Sequence, residues 1–172
     1  MKLNQIIEED VDEGGKGTYA GVRFDDDTVN RIKSFINDNE IPQPVPDEKM
    51  HTTVLYSRKH LPNYEAAGDF ESPHEGTPTE FDLWESQPDE DGIRNNCLVL
   101  QYDCDPLVER HKSLMDEHGA TFDFEEYKPH VTLSYNVGDL DLSNLNPSDV
   151  GPINVVSEYQ EELNIDWARS NT

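Results

Sequence analysis

Twice in this chain the same order of elements recurs: an alternating strand, a capped amphipathic helix, and a second strand that opens on His-x-Thr. In the first copy, Thr18-Tyr19-Ala20-Gly21-Val22-Arg23-Phe24 alternates as a strand does. Asp25-Asp26-Asp27 then offers N-cap oxygens and negative charge where a helix starts. Val29, Ile32, Phe35 and Ile36 follow at helical spacing and predict a helix over residues 27 to 39. Prolines 42, 44 and 46 cannot continue it, and Met50-His51-Thr52-Thr53-Val54-Leu55-Tyr56 reads as the next strand. In the second copy Cys97-Leu98-Val99-Leu100-Gln101-Tyr102 is the strand, and Asp103 or Asp105 caps the helix after it. Pro106 suits a first helical turn. Leu107, Val108, His111, Leu114 and Met115 form an apolar helix face that Gly119 terminates. His130-Val131-Thr132-Leu133-Ser134-Tyr135 closes the copy. Phe24 precedes His51 by 27 positions and Tyr102 precedes His130 by 28.

A match of pattern at that spacing argues for an internal duplication with two similar lobes. A length of 172 residues favours one domain, or two small lobes sharing a core. Between the copies, residues 62 to 96 are rich in Pro, Gly, Asp and Glu, with Thr79-Glu80-Phe81-Asp82-Leu83-Trp84 as a strand inside them. Pro88-Asp89-Glu90-Asp91-Gly92 reads as a turn. Ile153-Asn154-Val155-Val156-Ser157-Glu158-Tyr159 starts a last strand that reaches Trp167.

On a strand, residues i and i+2 share a face. His51 therefore projects with Thr53, and His130 with Thr132. Brought together across a pseudo-two-fold axis, two imidazoles and two hydroxyls can surround one phosphate. One imidazole takes a proton from a nucleophile and the other gives one to a leaving oxygen. Threonine hydroxyls can hydrogen-bond the non-bridging oxygens as charge develops on them. Each motif has a lysine two positions upstream, Lys49 and Lys128, and Arg58-Lys59 follows the first. These cations read equally as ordinary surface residues or as local positive potential, and a strand would put Lys49 on the face of His51.

The remaining chemistry is sparse. His111 and His118 fall on the second helix, and His60 and His74 in loops. No histidine or cysteine spacing fits a zinc site, so no metal and no cofactor is expected. Cys97 and Cys104 match no redox spacing and read as reduced, partly buried thiols. A net charge of −24 opposes long nucleic acids, whose binding rests on many Lys and Arg contacts. No apolar run is long enough for a membrane span, and the N-terminus turns acidic before a signal-peptide core forms, so a cytoplasmic protein is expected.

Paired His-x-Thr strands after strand–helix units resemble the 2H phosphoesterase superfamily, from about Thr18 to Trp167. The resemblance implies an α/β (α+β), bilobal fold: two pseudo-symmetric lobes, antiparallel sheets lining a central cleft, and helices outside. It implies that residues 1–172 form a single bilobal domain, that His51, Thr53, His130 and Thr132 contact the phosphate, and that no metal is required. Gly14-Gly15-Lys16-Gly17-Thr18-Tyr19-Ala20-Gly21-Val22-Arg23 and His51-Thr52-Thr53-Val54-Leu55-Tyr56-Ser57-Arg58-Lys59 are similar to the bacteriophage anti-CBASS nuclease family. Its members degrade cyclic di- and trinucleotide alarms that bacteria make on infection. That resemblance implies a small cyclic oligonucleotide such as cyclic GMP–AMP as substrate, met in the host cytoplasm. It also implies that Tyr19 stacks on a base and that a Glu and a Trp six residues apart line the pocket. Glu161 and Trp167 have that spacing, with Glu158 and Glu162 close by. From the residues alone, Tyr19 and Trp167 read equally as core, and Trp84 as core sooner than as a base platform. An RNA-end 2′,3′-cyclic phosphodiesterase and a non-catalytic sequestering protein are the alternatives.

Overall fold

Both strand–helix–strand units form where the residue pattern puts them. In the computed structural model, residues 16–88, 90–122 and 126–164 are described. They run β1 (Lys16–Phe24), α1 (Asp26–Asp38), β2 (Thr52–Ser57), β3 (Gly68–Glu85), β4 (Asn96–Asp103), α2 (Asp105–His118), β5 (His130–Ser134) and β6 (Ile153–Asn164). Asp25 caps α1 by accepting the Thr28 N–H at 2.8 Å. Neither Asp103 nor Asp105 caps α2. The cap position falls on Cys104, which makes no side-chain cap bond. Pro106 in the first turn has no N–H, so there is one fewer orphan donor to satisfy. Gly119 ends α2 in the left-handed conformation at φ 62°.

The strands form one six-stranded sheet in the order β2-β1-β6-β3-β4-β5. Every neighbouring pair is antiparallel. The fold is α+β, and its two halves are β2-β1-β6 and β3-β4-β5. What joins them is β3. Its first part pairs with β6, from Gly68↔Glu158 to Gly76↔Ile153, and its second with β4, from Thr77↔Asp103 to Glu85↔Asn96. The strand expected over Thr79–Trp84 thus begins eleven residues earlier, and His74 lies in it rather than in a loop. Pro73 falls in the register break between Asp69 and His74, and Pro78 borders the break before Glu80. Breaks are where a ladder tolerates a residue without an N–H.

Each helix covers the back of the opposite half. From α1, Phe35 stacks on Phe81 of β3 with centroids 5.1 Å apart. From α2, His111 Nδ1 meets the Val54 carbonyl of β2 at 2.8 Å, and Arg110 pairs with Glu158 of β6 at 2.9 Å. Ile32, Leu107, Leu114, Val22, Val54, Leu98, Leu100, Val131, Leu133 and Ile153 are buried between them. Each contributes about 1.5–3 kcal/mol of apolar burial. Val108, expected on the apolar face of α2, is exposed. The proline-rich segment after α1 covers the outer edge of β5: Val45 N–H donates to Leu133 O at 2.9 Å, and Tyr135 N–H to Gln43 O at 3.0 Å. No helix among the described residues is long and apolar enough to cross a membrane.

Candidate active site

Strands β2 and β5 stand at opposite ends of the strand order, yet the sheet curls until they touch. The Thr52 hydroxyl donates to the His130 carbonyl at 2.8 Å and accepts from the buried Tyr102 hydroxyl at 2.7 Å. Tyr127 donates its hydroxyl to the Thr53 carbonyl at 2.7 Å. Motif two is thereby fastened to motif one by three side chains, Thr52 being the central residue of His-Thr-Thr. Gly76 makes room for this arrangement, since a Cβ there would run into the Tyr102 ring.

The two histidines are held alike. His51 Nδ1 lies 2.8 Å from the Lys49 carbonyl, and His130 Nδ1 lies 3.0 Å from the Lys128 carbonyl. A carbonyl only accepts, so each Nδ1 carries the proton and donates. Nε2 is then the basic nitrogen of each neutral ring. The upstream lysines therefore contribute backbone, two residues before each histidine. Lys49 does not share a strand face with His51, because it closes the short 3-10 turn Asp47–Lys49. Arg58 and Lys59 follow the far end of β2, on the order of 20 Å along the strand from His51 at about 3.3 Å per residue. Burial pushes the His130 imidazole below its ordinary value, and the nearby His51 acts in the same direction; the Lys128 carbonyl opposes them in part.

Register defines what else faces the site. Around motif one, the pairings Gly21↔Thr53, Tyr19↔Glu161, Gly21↔Tyr159 and Arg23↔Ser157 put Tyr19, Gly21 and Arg23 on one face with Ser157, Tyr159 and Glu161. The Tyr19 hydroxyl is 2.9 Å from Thr53 Oγ1, and its ring stands edge-on to His51 at 6.2 Å. Burial raises the Tyr19 phenol well above its usual range, so the hydroxyl stays protonated. The Tyr159 ring lies over Gly21, where a Cβ would come within 2.7 Å of it. Around motif two, Glu80↔Gln101, Asp82↔Val99, Trp84↔Cys97, Gln101↔His130 and Val99↔Thr132 assemble the other face.

Trp84 is not core. It is 36% exposed, its ring lies 4.4 Å from His130, and its Nε1–H donates to Asp82 at 2.8 Å. Of the nearby glutamates, Glu161 shares the face of Tyr19. Glu158 faces the other way and is buried under Tyr64 and Arg110. Trp167 lies outside the described residues. Cys97 is half-buried and Cys104 buried, both as free thiols. His111 stacks on Tyr127 at 4.4 Å behind motif one, and His118 stands edge-on to Tyr64 at 6.0 Å. Sequence reasoning did not single out Arg23 or Tyr159. The signal was present in the alternation, since Arg23 follows Tyr19 by four positions and Tyr159 precedes Glu161 by two.

Residues 16–170 match the family model described as anti-CBASS protein Acb1. The protein of that name from Salmonella phage S16 is 38% identical over 151 residues, spanning 88% of this chain and 91% of its own. Its counterpart from Vibrio phage KVP40 is 31% identical over 172 residues and 99% of each chain. Among solved structures, TT0787 of Thermus thermophilus aligns with a TM-score of 0.48 at 15% identity, over 83% of this chain and 82% of that one. By sequence, across nearly its whole length, this chain belongs to the Acb1 family of anti-CBASS proteins.

Proposed function

We propose that this protein is a metal-independent phosphodiesterase that opens 3′–5′ linkages of cyclic di- and trinucleotide immune signals, cyclic GMP–AMP among them, in the cytoplasm of an infected host. The observation that carries this reading is the matched pair of imidazoles. They come from opposite halves of one sheet, with each Nδ1 tethered to the carbonyl two residues upstream and a threonine two residues on. Membership in the anti-CBASS family supports the biological setting.

In this mechanism a neutral imidazole takes the proton from the ribose 2′-OH, and O2′ attacks the adjacent phosphorus in line. The P–O5′ bond breaks, the other imidazole protonates O5′, and a 2′,3′-cyclic phosphate results. His130 is the base, since burial favours its neutral form, and His51 is the acid. Thr53 and Thr132 hold the non-bridging oxygens, and the Tyr19 hydroxyl orients Thr53. The Tyr19 ring is the stacking platform for one base, with Glu161 beside it on the same face. Such stacking contributes about 1–3 kcal/mol per base.

Chromatography of cyclic GMP–AMP and a cyclic tri-adenylate incubated with the protein in EDTA tests this. Linear products are expected, and an analogue lacking the 2′-OH is expected to stay intact. Equal cleavage of the deoxy analogue would sink the mechanism. Intact cyclic ligands alongside cleavage of an RNA 2′,3′-cyclic end would move the substrate to RNA processing, and binding without any product would leave only a sequestering protein.

Thr52 gives a second expectation. Thr52→Val keeps the shape but leaves the Tyr102 hydroxyl and the His130 carbonyl without their partner. The expected cost is about 1–3 kcal/mol of stability. A fall in kcat of roughly tenfold should accompany it, because the His130 backbone loses an anchor. Urea unfolding and steady-state kinetics check this, and Thr52→Ser should restore both.

A further inference from the structure

The cleft face around motif one carries a cation that the mechanism above does not use. Arg23 follows Gly21 on that face of β1, and its stacking partner Tyr159 lies 6.0 Å from the Tyr19 ring, which stands edge-on to His51. Its guanidinium lies flat over the Tyr159 ring, 4.3 Å from the centroid. Among the described residues it makes one hydrogen bond, a long one of 3.3 Å to the Glu48 carbonyl. Stacking steadies the plane of an arginine while leaving its edge of N–H donors able to grip an anion in two places. Its neighbours on the β6 side are Ser157 and Tyr159, and neither is a carboxylate. On its outer side Arg23 lines an open groove of about 770 Å³ with Asp26, Asp47 and Glu48, and Asp47 is paired with Lys33 at 2.9 Å. Carboxylates there repel an approaching anion, so a phosphate reaches Arg23 from the cleft. In a protein of net charge −24, an arginine kept on the face of the catalytic histidine is an informative placement.

We propose that Arg23 holds the second, uncleaved phosphate of a cyclic oligonucleotide while the first lies between His51 and His130. This rests on the phosphodiesterase reading above and narrows it to substrates with at least two phosphates in one ring. A dinucleoside monophosphate offers the same scissile linkage and 2′-OH but nothing for Arg23 to hold. Arg23 thus selects the ring rather than the reaction.

The test compares wild type, Arg23→Gln and Arg23→Lys on a cyclic dinucleotide and on the linear dinucleoside monophosphate of the same bases. For Arg23→Gln, kcat/KM on the cyclic substrate is expected to fall about 10- to 100-fold, as for a charged hydrogen bond, chiefly through KM. The fall should be at least tenfold larger than on the linear substrate. Arg23→Lys should recover part of the loss, and the cyclic reaction of Arg23→Gln should depend less steeply on salt. Equal losses on both substrates would overturn the proposal, since Arg23 would then serve the scissile phosphate or the fold. No loss on the cyclic substrate would overturn it as well. Wild-type activity on the linear substrate alone would remove the cyclic substrate and this proposal with it, and activity on neither would remove the phosphodiesterase reading itself. Melting curves of the three proteins, expected to coincide because Arg23 is exposed, separate a binding defect from a folding one.

Discussion

Replacing His130 by alanine is expected to lower kcat on cyclic GMP–AMP by about 10²- to 10⁴-fold, and His51→Ala by a similar factor. The two variants should part company when the bridging 5′-oxygen is replaced by sulfur. A thiolate leaves without protonation, so His51→Ala should recover most of its lost rate on that substrate, while His130→Ala should not. The opposite pattern would reverse the assignment of base and acid. Loss of both rates without recovery in either variant would mean that the histidines position the phosphate rather than move protons. The pH profile is a second readout. Because burial lowers the His130 pKa, the base form persists below the ordinary imidazole value of 6.5. The acid limb of kcat/KM is therefore expected below that pH, with the rate falling as His130 takes up a proton.

Glu158→Ala is expected to cost about 3 kcal/mol of folding stability. The Glu158 carboxylate is buried and receives the Tyr64 hydroxyl at 2.7 Å, the Ala67 N–H at 3.0 Å, and both Nε and Nη2 of Arg110 at 2.9 Å. Through these contacts it ties β6 to α2 and to the segment before β3. Breaking a buried pair by removing one partner costs about 3–5 kcal/mol. The Arg110 side chain is 33% exposed, so solvent screens part of the loss and the low end applies. At about 2–4 °C per kcal/mol for a chain of this length, Tm should drop by roughly 10 °C. Thermal and urea unfolding measure it. A loss below about 1 kcal/mol would put the pair in the class of ordinary surface bridges. The double variant Glu158→Leu, Arg110→Leu should recover more than half of the loss.

Both His-x-Thr units were legible because each sits in elements whose residues obey one period throughout. Ile32, Phe35 and Ile36 repeat as a helix does, β5 presents His130 and Thr132 on one face by simple alternation, and Thr53 of β2 follows His51, which immediately precedes that strand. The first part of β3 was not legible. Its residues are mostly exposed, with one proline and three carboxylates, and nothing local favours a strand. It is extended because β6 offers a ladder partner, a tertiary effect that outweighs local preference. Trp84 was misread for a related reason. Its size suggested the core, but its parity is that of Glu80 and Asp82, while Phe81 and Leu83 supply the apolar face. Parity decides, because alternate residues of a strand cannot exchange faces. The tethering of each imidazole was beyond the sequence too, since the atom that matters on Lys49 and Lys128 is a carbonyl oxygen that every residue has.

Those tethers also bear on how the proposed reaction would ready the site for another turn. With Nδ1 committed to a carbonyl, each ring exchanges protons with the cleft through Nε2 alone. On the proposed mechanism one transesterification leaves His130 loaded and His51 empty, the reverse of the starting state. Neither ring can shed or gain its proton through its far nitrogen without breaking a tether. The pair can reset by running the complementary half-reaction, in which His51 draws a proton from water as it attacks the cyclic phosphate and His130 returns one to O2′. Under that proposal ring opening and a subsequent hydrolysis would form one catalytic round trip, and the like holding of the two histidines lets either ring stand at either end of it.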